Sequence, residues 1–522
     1  MKKTAPAPAE NYAFIMSPSD NVAVAGKDIP AGTAMSFGSR CFSARRRVPS
    51  GAVFALSDIG RREAVTQYGY PFGVSSGIKA GEVVAAGDVL SSDADIKKEA
   101  ARAIGALAGR RHKTAPRAAR PSPLSFEGYK RPGGAAGTRN YYLVIPASMC
   151  AADVASRIAL AADERTSGAA RLDGVVAAAH TEGCGSSDGI IIERLLSTLK
   201  NTALHPNVGG VLIVELGCEK TNFKDYRGFW RSLIGHGKPV DFLSVQRLGG
   251  TSGAVAAGLK IVRKRVGHIS AARRTQLPLS YLVAGTECGA SDAFSGVTAN
   301  PLIGKAVDGI ISRGGSAILS ETPEMIGAEK YLMSRMASAA VVRKFVGGME
   351  YYTSLARKLG VSLSGNFVPG NIAGGLINPS VKSLGAVQKG GSSTVRDCLD
   401  YAERIKKKGL NIMTGPGNDL ESLTGMAASG ANIFLFSTGM GATEGHITVP
   451  SIRITSRTEV FRNLRGDMDF DAGRLAGGKI SPDALAAELL DMTISVASGK
   501  KTRSELLKKR SFQIWSAGKL SL

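Results

Sequence analysis

Residues 281–301 read YLVAGTECGASDAFSGVTANP, and this stretch decides the fold. Tyr281-Leu282-Val283-Ala284 is a short apolar run that reads as a buried strand. The pattern then breaks at Gly285 into Gly-Thr-Glu-Cys-Gly-Ala-Ser-Asp, and a helix is expected near Pro301. Ligands of open α/β sheets sit where strands end in such loops. A tight β-to-α turn with a Ser or Asp cap is the plainer alternative.

A near copy lies upstream. Residues 181–188 read TEGCGSSD, after the apolar run Val175–Ala179 and His180. Both loops contain Cys-Gly-x-Ser-Asp, at Cys184–Asp188 and Cys288–Asp292, and both follow Thr-Glu, with Gly183 as an extra residue in the first. Gly and Ser are common in turns, so short matches arise by chance. Cysteine is scarce in this chain, and a duplicated unit is the stronger reading. Two such loops facing one cleft would gather two thiols, several acids and His180.

The rest of the composition sets limits. The 522 residues imply two to four domains, and 64 scattered glycines suggest many strand-to-helix turns. A net charge of +23 admits nucleic acid, an anionic surface or an acidic small substrate. The basic clusters at 45–47, 110–113, 263–265 and 508–510 carry no interleaved aromatics. Solvated faces are therefore expected, with no nucleic-acid groove. No run approaches a membrane span of about 18–20 apolar residues. The start MKKTAPAPAENYAFIM lacks the apolar core of a secretory signal. Six cysteines without a disulfide framework fit a reducing cytoplasm.

Short β-like pieces at 21–25, 52–56 and 82–86 mark a small, mostly β domain over 12–92. Residues 93–125 read as a helix-like piece followed by an exposed Pro/Ala/basic linker. From 126 onward, apolar runs at 141–147, 174–179, 210–216, 279–284, 315–319, 410–413, 431–436 and 451–455 alternate with glycine loops and helical patterns. The expected fold class is α/β, with parallel sheets covered by helices. So long a body calls for two units, divided near 345–365 into 126–350 and 351–522, the second ending in helices.

The chemistry-bearing residues collect at strand ends. Cys150 and Cys218 each follow an apolar run, as Cys184 and Cys288 do, and a helix N-terminus there favours metal or anion contacts. A buried small hydrophobe is the alternative for each thiol. His180 sits beside Glu182 and Cys184, where a base or metal ligand is as well suited as a structural imidazole. Glu287, Asp292 and Glu321 supply further carboxylates, and Glu324 follows as an acid or a helix cap. His446 lies in a glycine loop that can face the same cleft. Candidates for holding a small anionic, hydroxyl-rich substrate are Arg139, Asn140, Ser186, Ser291, Ser295, Asn300, Asn418 and Asp419. Such a set suits elimination next to a carboxylate: a base takes the α-proton, a cation stabilises the enediolate, and an acid protonates the departing group.

At these residues the sequence resembles the altronate/galactarate dehydratase family. The matching stretches include GYKRPGGAAGTRNYYLVIPASMC, HTEGCG, HPNVGGVLIVELGCE, GTECGASDAFSGVTANP, LSETPEMIGAE, PGNIAGGL, KSLGAVQKGG, GPGNDLES, VPSIRI and DMDFDAG. They run in order from about 128 to 473. The N-terminal unit resembles the family's SAF domain through NVAVAGKDIPAG and YGYPFG. The family also includes a sulfolactate sulfo-lyase. The resemblance implies a hydro-lyase that turns an altronate- or galactarate-like acid into a 2-keto-3-deoxy acid. The cofactor expected is a divalent metal, Fe²⁺ or Mn²⁺, held by Cys150, Cys184, Cys218 and Cys288. The alternatives are a carbon–sulfur lyase and a catalytically degenerate binding protein. A homo-oligomer is admitted, since large α/β enzymes are often symmetric assemblies.

The chain departs from the family mainly in the small domain. Ser17, Ala52, Gln67, Ala85 and Gly87 stand where the family pattern carries His or Lys. In the body, Arg247 stands where the family has Glu, and Gly133 where it has Asp. The small domain is therefore expected to act as a lid or spacer.

Overall fold

The computed structural model describes residues 6–90, 96–109, 124–166, 168, 171–222, 226 and 228–516. The N-terminal region is mostly β. Its three small sheets pair 7–8, 34–37 and 40–43; 13–14, 22–25 and 53–55; and 64–67, 70–75 and 89–90. The run at 82–86 makes only an isolated bridge, Val83 to Phe54. Helix α1 (Ile96–Gly109) follows. Most of the expected linker, 110–123, lies outside the described residues.

The body is α/β with two parallel sheets. The first comprises β1 (Tyr141–Pro146), β2 (Gly174–Ala177), β3 (Val208–Glu215) and β4 (Val240–Ser244), in the order β2-β1-β3-β4. Helices α2 (Ala152–Arg165) and α3 (Ile190–Ala203) connect its first three strands, and α4 (Thr251–Ile269) follows β4. The second sheet has seven strands: β5 (Val283–Gly289), β6 (Ser316–Leu319), β7 (Val395–Leu399), β8 (Gly409–Met413), β9 (Ile433–Thr438), β10 (Ser451–Thr455) and β11 (Phe470–Asp471). Their order is β7-β8-β6-β5-β9-β10-β11. Its helices are α5 (Ala299–Ile311), α6 (Ala339–Lys358), α7 (Pro379–Ala386), α8 (Asp419–Ser429) and α9 (Pro482–Ala497). Parallel strands covered on both faces must be apolar throughout, as β9 shows: Phe434 and Phe436 are fully buried, each worth roughly 2–3 kcal/mol.

Two expectations are corrected. The division near 350 falls inside α6, which joins strands of one sheet, and the change of sheet comes between β4 and β5. The decisive strand also does not stop at Gly285. β5 runs from Val283 to Gly289 because β6 bonds it as far as Thr286 and β9 as far as Gly289, and this ladder overrides the local glycine signal. Glu287 and Cys288 are thus strand residues, directed to opposite faces of the sheet.

The last described residues tie the two units together. Arg139, at the start of the first sheet, is fully buried and forms a two-pronged bond to Glu505, Nε to Oε1 at 2.6 Å and Nη2 to Oε2 at 2.8 Å. Burial opposes ionisation of Glu505, but the Arg139 guanidinium prevails and holds the carboxyl down to about 2. Arg510 and Lys508 pair with Asp163 of α2 at 2.9 and 3.0 Å, while Trp515 stacks on Tyr352 within the second unit. Among the described residues no helix is long and apolar enough to cross a membrane.

Candidate functional site

Charged groups converge at the C-terminal edge of the seven-stranded sheet. Glu287 and Cys288 end β5, Glu321 and Glu324 follow β6, Asp419 opens α8 after β8, and Lys382 and Lys389 come from α7 and the turn after it. Lys382 and Lys389 are seven residues apart, which keeps both on one helical face. Glu321 sits at φ +70° and Ala290 at φ +51°, conformations that side chains rarely hold unless the surroundings enforce them.

Lys389 is the hub. Its buried ammonium pairs with Glu321 Oε2 and donates to Cys288 Sγ at 2.8 Å. The Cys288 thiol donates to Glu324 Oε2 at 3.0 Å, and Lys382 Nζ lies 3.0 Å from Glu324 Oε1. Burial alone would discharge Lys389, but Cys288, Glu321 and Glu324 hold its pKa well above the usual lysine value. Burial, then Glu321 and Glu324, pushes the Cys288 thiol up, so it stays protonated.

Beside this hub lies a carboxylate group without enough donors. Glu287 accepts from Ser422 Oγ at 2.6 Å through Oε2, while its Oε1 and the Oε1 of Glu321 are buried and make no hydrogen bond. Glu287, Glu321 and Asp419 can each present an oxygen with all three within 4.8 Å of one another. Burial and then Glu321 raise Glu287, burial and then Glu324 raise Glu321, and burial followed by Glu321 and Glu444 pushes Asp419 up to about 8. Orphaned oxygens and raised carboxyls are what an all-oxygen cation site looks like before the cation arrives, and they fit a hard divalent ion. The second cluster, Cys288 with Glu321 and Glu324, fits one less well, because the Lys389 ammonium already stands among its ligand atoms.

The raised Asp419 carries a stability consequence. A carboxyl whose folded pKa exceeds its unfolded value destabilises the fold progressively as pH rises between the two. For Asp419 that window runs from about 3.9 to about 8. In chelator-treated protein, Asp419→Asn should therefore stabilise, by an amount that grows by about 4 kcal/mol between about pH 5 and pH 8.5. Urea unfolding of both forms at the two pH values measures it. A pH-independent difference would show that Asp419 ionises normally.

The turn after β5 is held differently. Asp292 receives Arg457 Nε at 2.6 Å, Ser456 Oγ at 2.9 Å and Ser295 Oγ at 2.8 Å. The small domain docks here. A Cβ on Gly296 would stand 2.3 Å from the Tyr68 hydroxyl, so only glycine permits the approach. Phe14 meets Phe294 edge-on at 6.1 Å. A recess between the two is lined by Tyr68, Ser291, Asp292, Ser295, Asn300 and Lys382. In the small domain, Gln67 is buried with neither amide atom hydrogen-bonded.

Several expected site residues have other employment. His180 lies at the edge of the first sheet, with Nε2 on Pro146 O at 3.0 Å and Nδ1 accepting from Glu182 N–H at 3.2 Å. Burial lowers its pKa, so it is a neutral imidazole tethered through both nitrogens, not a free base. Glu182 accepts from Ser186 Oγ at 3.2 Å. Of the four cysteines expected as metal ligands, Cys288 is buried in the second sheet, while Cys150, Cys184 and Cys218 are exposed and follow three neighbouring strands of the first. Thiols after strands look alike in sequence, but the first sheet's loops face solvent. Arg139 is committed to Glu505, and Asn140 donates to the carbonyls of Arg171 and Ile269. Asn300 bridges Gly385 O and Ser437, and Asn418 caps α8. His446 is buried at the units' seam, its pKa pushed down to about 3 by burial.

The duplicated loops are not in contact through any described bond, yet they open at one end of the body. Arg194, in the first turns of α3, lies 4.0 Å from the Trp515 ring, and nearby Gln513 bonds Glu421 in the first turn of α8. At the far end Asn201 of α3 donates to Ala402 O, and Ser429 of α8 accepts from Ile405 N–H. The two helices therefore run in the same direction.

Sequence reasoning overlooked Lys382, Lys389, Ser422, Arg453 and Arg457. The available signal was a lone arginine inside the apolar strand VPSIRIT, and two lysines one helical repeat apart in KSLGAVQK.

Comparison with known families divides the chain as the sheets do. The altronate/galactarate dehydratase SAF domain matches residues 11–92. The second domain of D-galactarate dehydratase/altronate hydrolase matches 128–270, and the C-terminal domain of D-galactarate/altronate dehydratase matches 279–520. The chain is 34% identical to altronate dehydratase of Escherichia coli (strain K12), over 96% of this chain and 98% of that protein. It is 32% identical to altronate dehydratase of Bacillus subtilis (strain 168), over 96% and 97%. A subunit beta of (2R)-sulfolactate sulfo-lyase from Chromohalobacter salexigens is 29% identical over 74% of this chain and 96% of that protein.

Proposed function

The chain belongs to the altronate/galactarate dehydratase family, and on that premise we propose that it is a hydro-lyase converting an altronate- or galactarate-like sugar acid into a 2-keto-3-deoxy acid. The observation that carries this reading is the buried set Glu287, Glu321 and Asp419, with two carboxylate oxygens that have no donor. Glu287, Glu321 and Asp419 would hold a divalent cation, Fe²⁺ or Mn²⁺. Such an ion supplies the positive charge that stabilises an enediolate and draws nearby carboxyls back to their ionised form.

The chain's own groups divide the remaining work. Asp419 is half-buried at the mouth of the cluster, and with a cation bound there its carboxyl would be ionised, the form that accepts a proton. It takes the proton from the carbon next to the substrate carboxylate. The electron pair moves to form the C2–C3 double bond, the C3 hydroxyl departs, and the proton returned from Asp419 completes the water. The enol that remains becomes the keto acid. Lys389 stays protonated throughout and offsets the negative charge of Glu321. The small domain, lacking the family's His and Lys positions, closes the recess through Tyr68 and takes no part in proton transfer.

The test is purified protein, freed of metal, assayed on altronate, galactarate and sulfolactate with and without Fe²⁺ or Mn²⁺. Metal-dependent keto-acid formation from altronate or galactarate is expected. Sulfite release from sulfolactate, with no dehydration, would move the activity to the carbon–sulfur lyases. No turnover of any acid would favour a binding protein.

A further inference from the structure

Arg453 lies in the middle of β10 and is fully buried. None of its three guanidinium nitrogens makes a hydrogen bond among the described residues. Its one ion-pair partner is Glu444, 4.0 Å away, too far for a hydrogen bond. The flat face of the guanidinium lies 3.6 Å from the centre of the Phe436 ring. A stacked guanidinium keeps its N–H groups in the plane of the fork, directed sideways. Five buried donors with no acceptor are costly in any fold, and a native chain retains them where an acceptor arrives from outside.

We propose that Arg453 is the receptor for the substrate's carboxylate, and that Glu444 is a placeholder which the arriving carboxylate displaces. The proposal rests on the sugar-acid reading for the identity of the ligand. The location supports it. Asp419 and Glu287 are among the charges that act on Arg453, so the guanidinium adjoins the cation-binding group. Phe436 and Asp419 both flank Gly289, where an added Cβ would stand 3.1 Å from the ring and 2.4 Å from the carboxylate. In a 2-hydroxy acid the carbon that loses its proton is bonded directly to the carboxylate. Docking that carboxylate on Arg453 therefore sets the reacting carbon beside Asp419. Burial lowers Arg453 only to about 10, so it remains a cation at neutral pH.

The surrounding loop allows the exchange. Glu444 is 37% exposed and stands on the solvent side of the buried guanidinium. It belongs to Gly439-Met440-Gly441-Ala442-Thr443-Glu444-Gly445, in which Met440 is exposed and Gly441 adopts φ +106°. A carboxylate at 4.0 Å offers the right charge without the bidentate bonds that a ligand carboxylate can form.

Calorimetric titration of the full chain with altronate, galactarate and glycolate tests the assignment, glycolate being the 2-hydroxy-acid fragment that the larger acids share. Arg453→Met should weaken binding roughly 10- to 100-fold. Its melting temperature should be unchanged or higher, since an unsatisfied buried cation is removed. Arg453→Lys should keep part of the affinity. Glu444→Gln should tighten binding of every carboxylate probe, because the competing carboxylate is gone, and it does not depend on how Arg453→Met folds. Unchanged affinity in Arg453→Met, or unchanged or weaker affinity in Glu444→Gln, overturns the proposal, as does absence of carboxylate binding by the wild type. Arg453-dependent glycolate binding without turnover of altronate or galactarate would leave the receptor standing and refute only the choice of substrate.

Discussion

Glu321→Gln lowers kcat by about 10³-fold or more. The amide matches the carboxyl in shape but changes two things at once. It cannot share a cation with Glu287 and Asp419 as a carboxylate does, and it removes the negative charge that Lys389 neutralises. Metal content of the isolated protein falls with it. The double variant Cys184→Ala, Cys288→Ala makes the contrast, since the all-carboxylate set does not use either thiol. Retention of metal by that variant, together with loss in Glu321→Gln, assigns the ion to Glu287, Glu321 and Asp419. The reverse pattern would return it to the cysteines.

Lys389→Met has the largest effect on stability. The ammonium is 1% exposed and compensates Glu321, Glu324 and the polar Cys288 thiol. Removing one partner of a buried charge pair typically costs about 3–5 kcal/mol, because the group left behind stays desolvated. The sign with pH follows from the acids. Without Lys389 the folded pKa of Glu321, already raised, rises further, and that of Glu324, now held below the usual carboxyl value, rises too, so the loss is smallest at low pH, where both are protonated in both states, and grows as pH rises. Denaturant unfolding of the metal-free protein at pH 5 and pH 8 measures this. A loss below about 1 kcal/mol at both would mean that Lys382 alone supplies the compensation.

The α/β class was legible because parallel strands buried on both faces leave uninterrupted apolar runs, as at 141–146 and 433–438. Strand β4 was missed because it is a partly exposed edge strand, with only Leu243 of its five residues buried. The extent of β5 was misjudged since glycine and threonine weaken a strand locally, while neighbours on both sides stabilise it from outside the sequence window. The acids Glu287, Glu321 and Asp419 could be found from their place after apolar runs. Lys389 and Arg453 were lost among the chain's 66 basic residues, almost all of them surface groups by expectation, because the arginine inside VPSIRIT and the lysine spacing in KSLGAVQK are slight signals beside that expectation. Their burial is a tertiary fact: the turn after α7 folds down over the end of β5, and β10 lies inside a seven-stranded sheet. His180 was overweighted for the opposite reason. Its strand-end position is real, but the two backbone bonds that immobilise it cannot be seen in a residue pattern.

The bond between Arg139 and Glu505 spans 366 positions in the chain. A ribosome adding about 5–20 residues per second would need roughly 20–70 s to supply the second partner after the first has emerged. For that interval the four-stranded sheet has a cationic side chain at its base with only Asp173, 3.9 Å away, in place of the two-pronged Glu505 bond, and Asp163 on α2 waits for Lys508 and Arg510. The early half of the molecule therefore leaves the exit tunnel incomplete and becomes a finished unit only when the late half closes over it. Nascent chains halted before residue 505 should thus be substrates for chaperones and proteases, whichever of the two units their length has already encoded.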